Sequence, residues 1–481
     1  MTVAEQNLRA SAPGKIQSAG WALASLALCT LLSSLGTSIA SVGLPSLMQA
    51  FGASFQSVQW VVLAYLLAIT TLIVSAGRLA DIFGRRPLLL GGIALFTSAS
   101  VLCGLAPTLW LLIAARAAQG LGAAMMMALT LAFVAETVAR ERTGSAMGLL
   151  GAMSAIGTTL GPSLGGLLIA GLGWRAIFLV NVPLGLLAFA LAWRALPAAN
   201  KAAGAGQGFD GIGMVLLALT LAAYALAMTL GRGSFGALNV GLLIAAGVGV
   251  VLFVFAQTKV ENPLIQPAKF RDPTLNASLA MNLVVATVMM ATLVVAPFYL
   301  SRGLGLDAAR VGLVLSTGPL VSSLSALLAG RLVDRFGAHR MMIAGLFSLT
   351  AGAFLLSLAW TELGIASYAM PVAVTCVGYA LFQTANNAAV MTGVGAGERG
   401  VVSGLLNLSR NLGLITGASV MGAVFAVASA GGQENHDMLS SAAAAHGMQI
   451  TFQTATALAV AALFLALLTA RVTGRSEPNV S

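Results

Sequence analysis

Long hydrophobic stretches recur along almost the whole chain, and short polar segments separate them. An apolar stretch of at least about 18 residues is long enough to cross the hydrocarbon core of a membrane as a helix. The pattern therefore predicts an all-α polytopic membrane protein. Fourteen spans are predicted, near residues 20–42, 58–78, 88–106, 109–134, 144–170, 174–195, 211–230, 238–257, 276–300, 310–330, 341–360, 364–391, 401–428 and 450–470.

The lysines and arginines predict how these spans are oriented. Cytosolic segments of membrane proteins carry an excess of Lys and Arg. If the amino terminus is cytosolic, 18 of the 24 basic residues fall in segments on that side, and two lie within spans. The outer loops hold the remaining four, which are Arg175, Arg232, Arg302 and Arg310. Because the number of spans is even, both termini are expected in the cytosol.

The composition argues against several other classes of protein. Only 8% of the residues are charged, 58% are hydrophobic and the mean hydropathy is +0.95, whereas soluble domains are about 25% charged. The net charge of +10 is not gathered in a basic helix or an aromatic-basic patch, so nucleic-acid binding is not expected. Three isolated cysteines and three histidines in loops offer no metal-ligand spacing, so no metal or other cofactor is expected.

A charged, glycine-rich segment occurs twice. Residues 77–87 read GRLADIFGRRP, residues 330–340 read GRLVDRFGAHR, and six of the eleven positions match. The distance between the copies accommodates six spans with their loops and two additional spans. Repeated halves around a central site are common in secondary transporters. The predicted domains are a six-helix half over 1–196, a linker with two extra helices over 197–275, and a second six-helix half over 276–481.

Further segments carry recognisable patterns at the expected spans. They are RAAQGLGAA (116–124), GTTLGPSLGG (157–166), QWVVLAYLLA (59–68), WRAIFLVNVPLG (174–185), FDGIG (209–213) and ENPLIQPAKFRDPTL (261–275). Together with GRLADIFGRRP, they resemble the major facilitator superfamily, and more narrowly its fourteen-span drug:proton antiporter branch. The resemblance covers nearly the whole chain. It implies two six-helix halves that rock about a central site, which is the mechanism of alternating access.

The resemblance also implies a conformational latch at the cytosolic turns. In the family, an arginine of this turn often pairs with an acid at the cytosolic end of the fourth span, where Glu136 fits. The expected latch residues are Gly77, Asp81, Gly84, Arg85, Arg86, Glu136, Gly330, Asp334 and Arg335. Ala338 and His339 replace the two arginines in the second copy, so its latch is expected to be weaker. The alternative is a solvated charge cluster that only sets the topology.

Glycines mark the fifth predicted span. Gly157, Gly161 and Gly165 are four residues apart and lie on one stripe of a helix, where small residues let two helices pack closely. Pro162 bends the span. With Gly166, these residues form the "antiporter" motif, which in the family lines the interface between the halves and limits leak. The alternative is ordinary packing of small residues.

Polar residues within spans mark the expected substrate site. A charge inside a span costs roughly 2.5–3.5 kcal/mol and is usually functional, which draws attention to Arg116 and Arg410. Amide side chains accompany them at helical spacing. The predicted substrate-binding and coupling residues are Arg116, Gln119, Gln383, Asn386, Asn387, Asn407, Arg410 and Asn411. For the amides, the alternative is polar bonding between helices.

The acidic residues are placed unusually for the resembling branch. All 14 lie in loops or near span ends. The branch typically carries an aspartate in the first span, at the position of Gly36, and proton coupling and binding of cationic drugs are commonly assigned to it. Without that acid, two arginines face the middle of the membrane unopposed. Such a site disfavours lipophilic cations and suits anionic, zwitterionic or neutral cargo.

The sequence therefore predicts a monomeric secondary active transporter of the cytoplasmic (inner) membrane. The resemblance implies that it exports a small amphipathic compound in exchange for protons, and no GxxxxGK[ST] nucleotide-binding loop is present to suggest another energy source. The main alternative is an importer or facilitator of a small metabolite on the same fold. A polytopic membrane enzyme would need clustered acids, histidines or a metal motif. A sensor that transports nothing would not need the intact glycine and arginine motifs.

Overall fold

The chain folds into a bundle of long α-helices in the computed structural model. The structure describes residues 13–137, 143–196, 210–230, 236–260, 263, 271–358, 361–392, 399–430 and 441–473. The helices of the first half are α1 (Pro13–Val42), α2 (Leu44–Phe51), α3 (Phe55–Phe83), α4 (Arg85–Leu105), α5 (Leu109–Thr137), α6 (Thr143–Leu172), α7 (Ala176–Leu179) and α8 (Asn181–Ala195). An accessory pair follows, α9 (Gly211–Thr229) and α10 (Ala237–Lys259).

The second half repeats the arrangement of long helices. Its elements are α11 (Pro273–Phe298), a π turn (Tyr299–Gly303), α12 (Ala308–Phe336), α13 (Ala338–Ser357), a 3-10 turn (Thr361–Leu363), α14 (Ala366–Thr392), α15 (Arg399–Thr416), a second π turn (Gly417–Met421), α16 (Gly422–Ala430) and α17 (Ser441–Thr473). Successive long helices run between two ends of the bundle. We name these the Gly84 end, after the turn between α3 and α4, and the Phe55 end, after the first residue of α3.

Twelve helical segments of the described chain are long and apolar enough to cross a membrane. α12 passes the same test only as two segments bent by 44° at a break between Ala326 and Leu328, which raises the number to 13. α14 has 27 residues but is not among them, and its sequence includes three amide side chains. The predicted all-α polytopic architecture is confirmed. The count of fourteen and the cytosolic termini stay predictions.

The repeated sequence segment forms the same turn twice at the Gly84 end. Gly84, between α3 and α4, has φ +85° and ψ 144°. Gly337, between α12 and α13, has φ +87° and ψ 145°. A positive φ is strained for a residue with a Cβ atom, so both positions favour glycine. The matching glycines of the two copies thus encode one backbone conformation.

Close helix packing also follows the same scheme in both halves. In the first half, Gly157 of α6 approaches the carbonyl of Leu31 in α1, and the contact leaves no room for a Cβ atom. In the second half, Gly413 of α15 approaches the carbonyl of Leu283 in α11 in the same manner. Small residues of this kind let two membrane helices approach closely. The pairs α1–α6 and α11–α15 are therefore built alike.

α9 and α10 form a hairpin with different surroundings on its two helices. Asp210 caps α9 by accepting a hydrogen bond from the backbone N–H of Gly213 at 2.7 Å, and Gln257 of α10 donates to its other carboxylate oxygen at 2.5 Å. α10 packs chiefly on α9 and leaves side chains such as Val251 exposed. α9 also packs on α3 and on the π turn Gly417–Met421. The hairpin therefore contacts both halves through α9.

The two halves meet closely at the Phe55 end. The ring of Phe55 in α3 packs edge-on against Phe298 of α11, with 4.7 Å between the centroids, and lies 5.5 Å from the ring of Phe425 in α16. Gly166 of α6 lies so close to Ala308 of α12 that a Cβ atom would not fit. The largest hydrophobic cluster of the protein includes buried residues from both halves.

Candidate functional site

Arg116 of α5 is fully buried and makes three hydrogen bonds. Its Nε donates to the carbonyl of Val61 at 2.8 Å, and one Nη donates to Oε1 of Gln119 at 2.5 Å. The other Nη donates to the carbonyl of Gly36 at 3.0 Å. Because these acceptors belong to α3, α5 and α1, the guanidinium group ties three helices of the first half together.

Aromatic rings and a second amide complete the enclosure of Arg116. The guanidinium carbon lies 4.1 Å from the ring centroid of Tyr65 and 5.9 Å from that of Phe178. Cation–π attraction is stronger where the charge is shielded from water. Gln119 is itself buried and donates to the hydroxyl of Ser100 in α4 at 2.7 Å. Carbonyl oxygens, an amide oxygen and ring faces thus surround the charge.

This geometry encloses Arg116 and Gln119 among helices of the first half, and their predicted role at a substrate cavity stays a prediction. Both side chains have an exposed fraction of 0%. A buried charge is tolerated when protein groups replace the water that it has lost, and here neutral acceptors take that place. In this structure the contacts of Arg116 are those of a residue that joins helices.

Gly36 leaves no space for the acid that the resembling branch carries in its first span. A Cβ atom at Gly36 would lie 2.9 Å from the hydroxyl oxygen of Tyr65 and 3.3 Å from the adjacent ring carbon. That hydroxyl is held in place because it donates to the carbonyl of Ser33 at 2.9 Å. Tyr65 therefore occupies the volume that an aspartate side chain would need.

α15 presents a polar face that remains open. Asn407 and Arg410 are exposed and Asn411 is half-buried. The helix is fixed by hydrogen bonds from other side chains to α11, among them that from Ser409 to the carbonyl of Leu279 at 2.5 Å. Because an arginine beside amides is costly against lipid, we interpret the exposed face as a water-accessible surface.

Two further hydrogen bonds hold α15 against α11. Asn282 donates to the carbonyl of Leu406 at 2.8 Å, and Thr287 donates to the carbonyl of Gly413 at 3.1 Å. These bonds fix which face of α15 stays open and therefore where Arg410 is exposed. Among the residues that the structure describes, Arg410 makes no salt bridge.

The three amides of α14 separate into two groups. Gln383 is half-buried and donates to Oδ1 of Asn387 at 3.4 Å, and Asn387 is exposed. Asn386 is fully buried, and neither atom of its amide has a hydrogen-bond partner. Gln383 and Asn387 lie at least partly open, whereas Asn386 is enclosed in this structure, and the site role of all three stays a prediction.

The carboxylates with described side chains form no ion pair with Arg410. They are Asp210, Asp272, Asp307, Asp334 and Glu362. All but Asp210 are exposed at or near helix ends, and Asp210 is the buried cap of α9. Within the described chain, no cluster of three or more His, Cys, Asp or Glu residues could hold a metal ion.

The glycine motif of α6 contacts helices of both halves. Three of its members face α1 of the same half, namely Gly157, Gly161 and Gly165. Gly166 and the carbonyl of Pro162 instead face Gly312 of α12, where the two backbones touch. Ser316 of α12 donates to the carbonyl of Thr159 in α6 at 2.9 Å. Sequence reasoning did not identify Gly312, because a single glycine in a span carries no pattern.

The first copy of the turn is only partly described. The side chains at Asp81 and Glu136, and the surroundings of Gly77, lie outside the described residues. Arg86 donates to the carbonyl of Trp193 at 2.5 Å and lies 5.8 Å from the ring of that residue. This contact anchors the turn to α8 of the same half.

The second copy of the turn has different side-chain surroundings. Asp334 and Arg335 are exposed, and Gly330 is half-buried. The guanidinium carbon of Arg335 lies 5.2 Å from the ring centroid of Phe336. Arg85 in the first copy is half-buried, while Ala338 takes the corresponding place here. The two turns share their backbone geometry but differ in what their side chains contact.

Comparison with known proteins identifies close relatives among named transporters. The model of the Major Facilitator Superfamily matches residues 26–418 and 277–480. The multidrug resistance protein Stp of Mycobacterium tuberculosis is 35% identical over 375 residues, which cover 77% of this chain and 69% of that protein. The drug efflux pump JefA of the same organism is 31% identical over 387 residues, covering 77% and 73%.

Solved structures share the fold at low sequence identity. A bacterial homologue of the human lysosomal transporter Spinster, in an inward-facing and unoccupied conformation, matches with a TM-score of 0.69 and 15% identity, covering 96% of this chain and 99% of that one. A D-xylose-proton symporter matches with a TM-score of 0.65 and 16% identity, covering 92% and 96%.

These findings agree with one another. The family match extends over most of the chain, the relatives are bacterial transporters, and the structure has at least twelve apolar helices of spanning length among its described residues. The protein is thus a multi-pass protein of the bacterial inner membrane and a transporter rather than an enzyme. The chain belongs to the Major Facilitator Superfamily.

Proposed function

We propose that this protein is a secondary active transporter that exports a small amphipathic compound across the cytoplasmic membrane by alternating access. Support for export comes from relatives at 31–35% identity that are named as a multidrug resistance protein and a drug efflux pump. The observation that carries the proposed site is the open polar face of α15, on which Arg410 lies between Asn407 and Asn411.

The cargo is anionic, zwitterionic or neutral rather than cationic. Arg410 presents an exposed charge that no carboxylate balances within the described chain. Gln383 and Asn387 of α14 contribute neutral donors and acceptors that suit a polar but uncharged part of the cargo. A lipophilic cation entering this surface would meet a like charge, which is a common way to reject a ligand.

The proposed topology has fourteen spans with both termini in the cytosol. α12, despite its bend, and α14, despite its amides, join the twelve other spanning segments. The amides of α14 are tolerated within a span if Asn386 is packed inside the protein, as it is here, and the exposed Asn387 is in contact with water. The distribution of basic residues then places the Gly84 end in the cytosol. The domains are the two six-helix halves and the accessory pair between them.

The conformation described here corresponds, in this proposal, to the inward-facing state. The aromatic contacts of Phe55 close the bundle at its outer end, and Arg410 lies in the part of its span nearer the Gly84 end. The glycine motif of α6, which touches α12 across the halves, limits leak at the outer end. The two turns at the Gly84 end act as the latch of the opposite state, with Arg85 and Glu136 as the main pair.

Proton exchange drives transport in this proposal, as the resemblance to drug:proton antiporters suggests. The proton is not carried at the position of Gly36, where no acid is present and Tyr65 fills the space. The transporting unit is proposed to be the monomer.

Transport by purified protein in proteoliposomes tests this proposal. We expect carboxyfluorescein, an anion, to be moved and ethidium, a cation, to be moved at least about tenfold more slowly, with faster transport when a pH gradient is imposed. Arg410→Ala should abolish most of the anion transport, whereas Arg310→Ala, which removes an exposed arginine at the Phe55 end, should not. Efficient ethidium transport that Arg410→Ala leaves intact would contradict the proposed charge selectivity.

The direction of transport separates the proposal from an importer on the same fold. Export predicts that inverted membrane vesicles accumulate the anion when their lumen is more acidic than the bath, because protons leaving the lumen then exchange for anion entering it. Accumulation by right-side-out vesicles, with no uptake by inverted ones, would favour the importer.

A further inference from the structure

A buried hydrogen bond joins the two halves at the Phe55 end. Gln59 of α3 is fully buried, and its Nε2 donates to the carbonyl of Ala418 at 2.5 Å. Ala418 lies in the π turn Gly417–Met421, and π turns within helices occur frequently at functional sites. The other amide atom of Gln59, Oε1, has no hydrogen-bond partner. We define the seam as this contact between α3 and the π turn.

The seam is packed tightly on the side of the π turn. A Cβ atom at Gly422, the first residue of α16, would overlap the amide of Gln59 and would approach the ring of Phe55 to 3.3 Å. Phe55 belongs to the aromatic group that closes the Phe55 end. Parting α3 from the π turn would therefore break a buried hydrogen bond and an aromatic contact together.

The accessory helix α9 crosses the seam and bonds to both of its sides. The indole Nε1 of Trp60, which directly follows Gln59, donates to the hydroxyl of Thr229 in α9 at 3.1 Å. The hydroxyl of Tyr224 in α9 donates to the hydroxyl of Thr416, which directly precedes the π turn, also at 3.1 Å. Each side of the seam is thus fastened to α9 through a neighbouring residue.

Hydrogen bonds from α10 hold both ends of α9. At one end, the capping carboxylate of Asp210 is held by Gln257 of α10. At the other end, Nδ2 of Asn239 in α10 donates to the carbonyls of Ala227 and Leu230, at 2.7 and 2.6 Å. Because α10 is bonded to both ends of α9, the two helices are expected to move together as one unit when the halves diverge.

We propose that α9 belongs to the outer gate, by which we mean the contacts between the two halves that close the Phe55 end. In this gate, Trp60 and Tyr224 are positioning residues that hold the seam closed. When the halves part at the Phe55 end, α9 must leave one of them, so at least one of its two hydrogen bonds breaks. The accessory pair thereby sets the balance between the inward-facing and outward-facing states. This inference rests on the proposed alternating-access function, because it assumes that the Phe55 end opens.

The distance between two spin labels across the gate tests the proposal. The labels go on cysteines introduced at Trp110 and Leu363, which are exposed at the Phe55 end of opposite halves. The three native cysteines are replaced by alanine, and the full chain is measured in nanodiscs. Tyr224→Phe keeps the ring and removes one hydrogen bond, and Trp60→Phe removes the other while replacing the indole with a smaller aromatic ring. Hydrogen bonds between membrane helices are modest, so each change should raise the ratio of long to short distances about threefold.

The matched control is Thr220→Val on the same helix. Thr220 is buried in α9 against Gly249 of α10, and its hydroxyl has no hydrogen-bond partner, so this change should leave the distances unaltered. Adding Thr229→Val to Trp60→Phe should have no further effect, since both remove the same bond. Distances in Trp60→Phe and Tyr224→Phe that equal those of the control would overturn the proposal. So would full additivity of Trp60→Phe and Thr229→Val.

The failure of this inference can be distinguished from the failure of the proposed function. The label distances report opening of the Phe55 end whether or not any cargo is moved. If the wild-type protein in proteoliposomes transports neither probe while the distances respond as predicted, the gate inference stands and the cargo proposal fails. If the protein transports cargo but the distances do not respond, the cargo proposal stands and the gate inference fails.

Discussion

Two arginines lie within predicted spans, and their surroundings are opposite. Arg116 is enclosed by the carbonyls of Val61 and Gly36, an amide and aromatic rings, and it has no exposed surface. Arg410 is exposed on a polar face of α15 and makes no salt bridge within the described chain. The same residue type therefore joins helices in one half and, in the proposed function, is available for a ligand in the other.

The comparison teaches that the cost of a charge within the membrane can be met in two ways. Neutral acceptors arranged by the fold can take over solvation of the guanidinium group, as they do for Arg116. Alternatively, the side chain can remain in contact with water, as we infer for Arg410. Only the second solution leaves hydrogen-bond donors free for cargo, so exposure rather than depth indicates a binding role.

The largest expected effect is loss of stability when Arg116 is replaced. Arg116→Leu should lower the free energy of unfolding by about 3 kcal/mol or more, because hydrogen bonds to a charged group are worth roughly 1.5–3 kcal/mol each. Thermal unfolding of the detergent-solubilised protein measures the change. Arg410→Leu is the matched variant and should leave the unfolding temperature nearly constant. Equal unfolding temperatures of Arg116→Leu and Arg410→Leu would contradict the claim that Arg116 stabilises the fold and Arg410 does not.

The next largest effect is on the transport rate, and it is expected at Arg410, whose replacement should leave stability unchanged. Arg410→Ala should slow transport of carboxyfluorescein at least about tenfold, a change equal to roughly 1.4 kcal/mol, without altering the unfolding temperature. Arg410→Lys should retain part of the rate, because it keeps the charge but loses the planar donors. Initial rates in proteoliposomes provide the measurement. A transport rate that is insensitive to Arg410→Ala would remove the binding role from this side chain.

A smaller effect concerns the turns that the two halves share. Gly84→Ala and Gly337→Ala should each destabilise the protein by about 1–3 kcal/mol, because this combination of positive φ and extended ψ is strained for a residue with a Cβ atom. Thermal unfolding should give similar changes for both, since their φ and ψ values nearly coincide. A clear effect at only one glycine would show that side-chain contacts, rather than the backbone, dominate that turn.

The smallest effect sharpens the distinction between buried and exposed amides. Asn386→Leu should raise the free energy of unfolding by up to about 1 kcal/mol, because it removes a buried amide that has no partner. Asn387→Leu, one residue further along α14, should instead reduce transport while stability stays near that of the wild type. Unfolding and transport measured on both variants provide the test. A destabilising Asn386→Leu would reveal that its amide is satisfied, for example by water.

The sequence was sufficient to predict the all-α polytopic architecture and the repeated turn, while the count of fourteen spans stays a prediction. Hydrophobic length depends on composition alone, and the glycines of the two turns match because one backbone conformation requires them. The family motifs were recognisable for the same reason, since Gly157, Gly161 and Gly165 have to be small wherever helices approach closely.

The environment of each polar residue within a span could not be predicted in this way. The spacing of Arg116 and Gln119 indicates one helix face but does not reveal which carbonyls and rings of other helices meet that face. Asn386 and Asn387 are adjacent in the sequence, yet only one is exposed, because exposure depends on where α14 packs. Gly312 and the bonds of α9 across the seam depend on contacts between distant segments, for which no local pattern exists.

Reversing the charge at Arg410 tests the central claim most directly. The claim is that the open face of α15 selects cargo by charge, whereas the buried arginine network does not. The measurement is the ratio of carboxyfluorescein to ethidium transport by Arg410→Glu and by the wild type in the same proteoliposome assay. We predict that the ratio falls by at least about a hundredfold and turns to favour the cation. An unchanged ratio in a folded Arg410→Glu protein would contradict the claim.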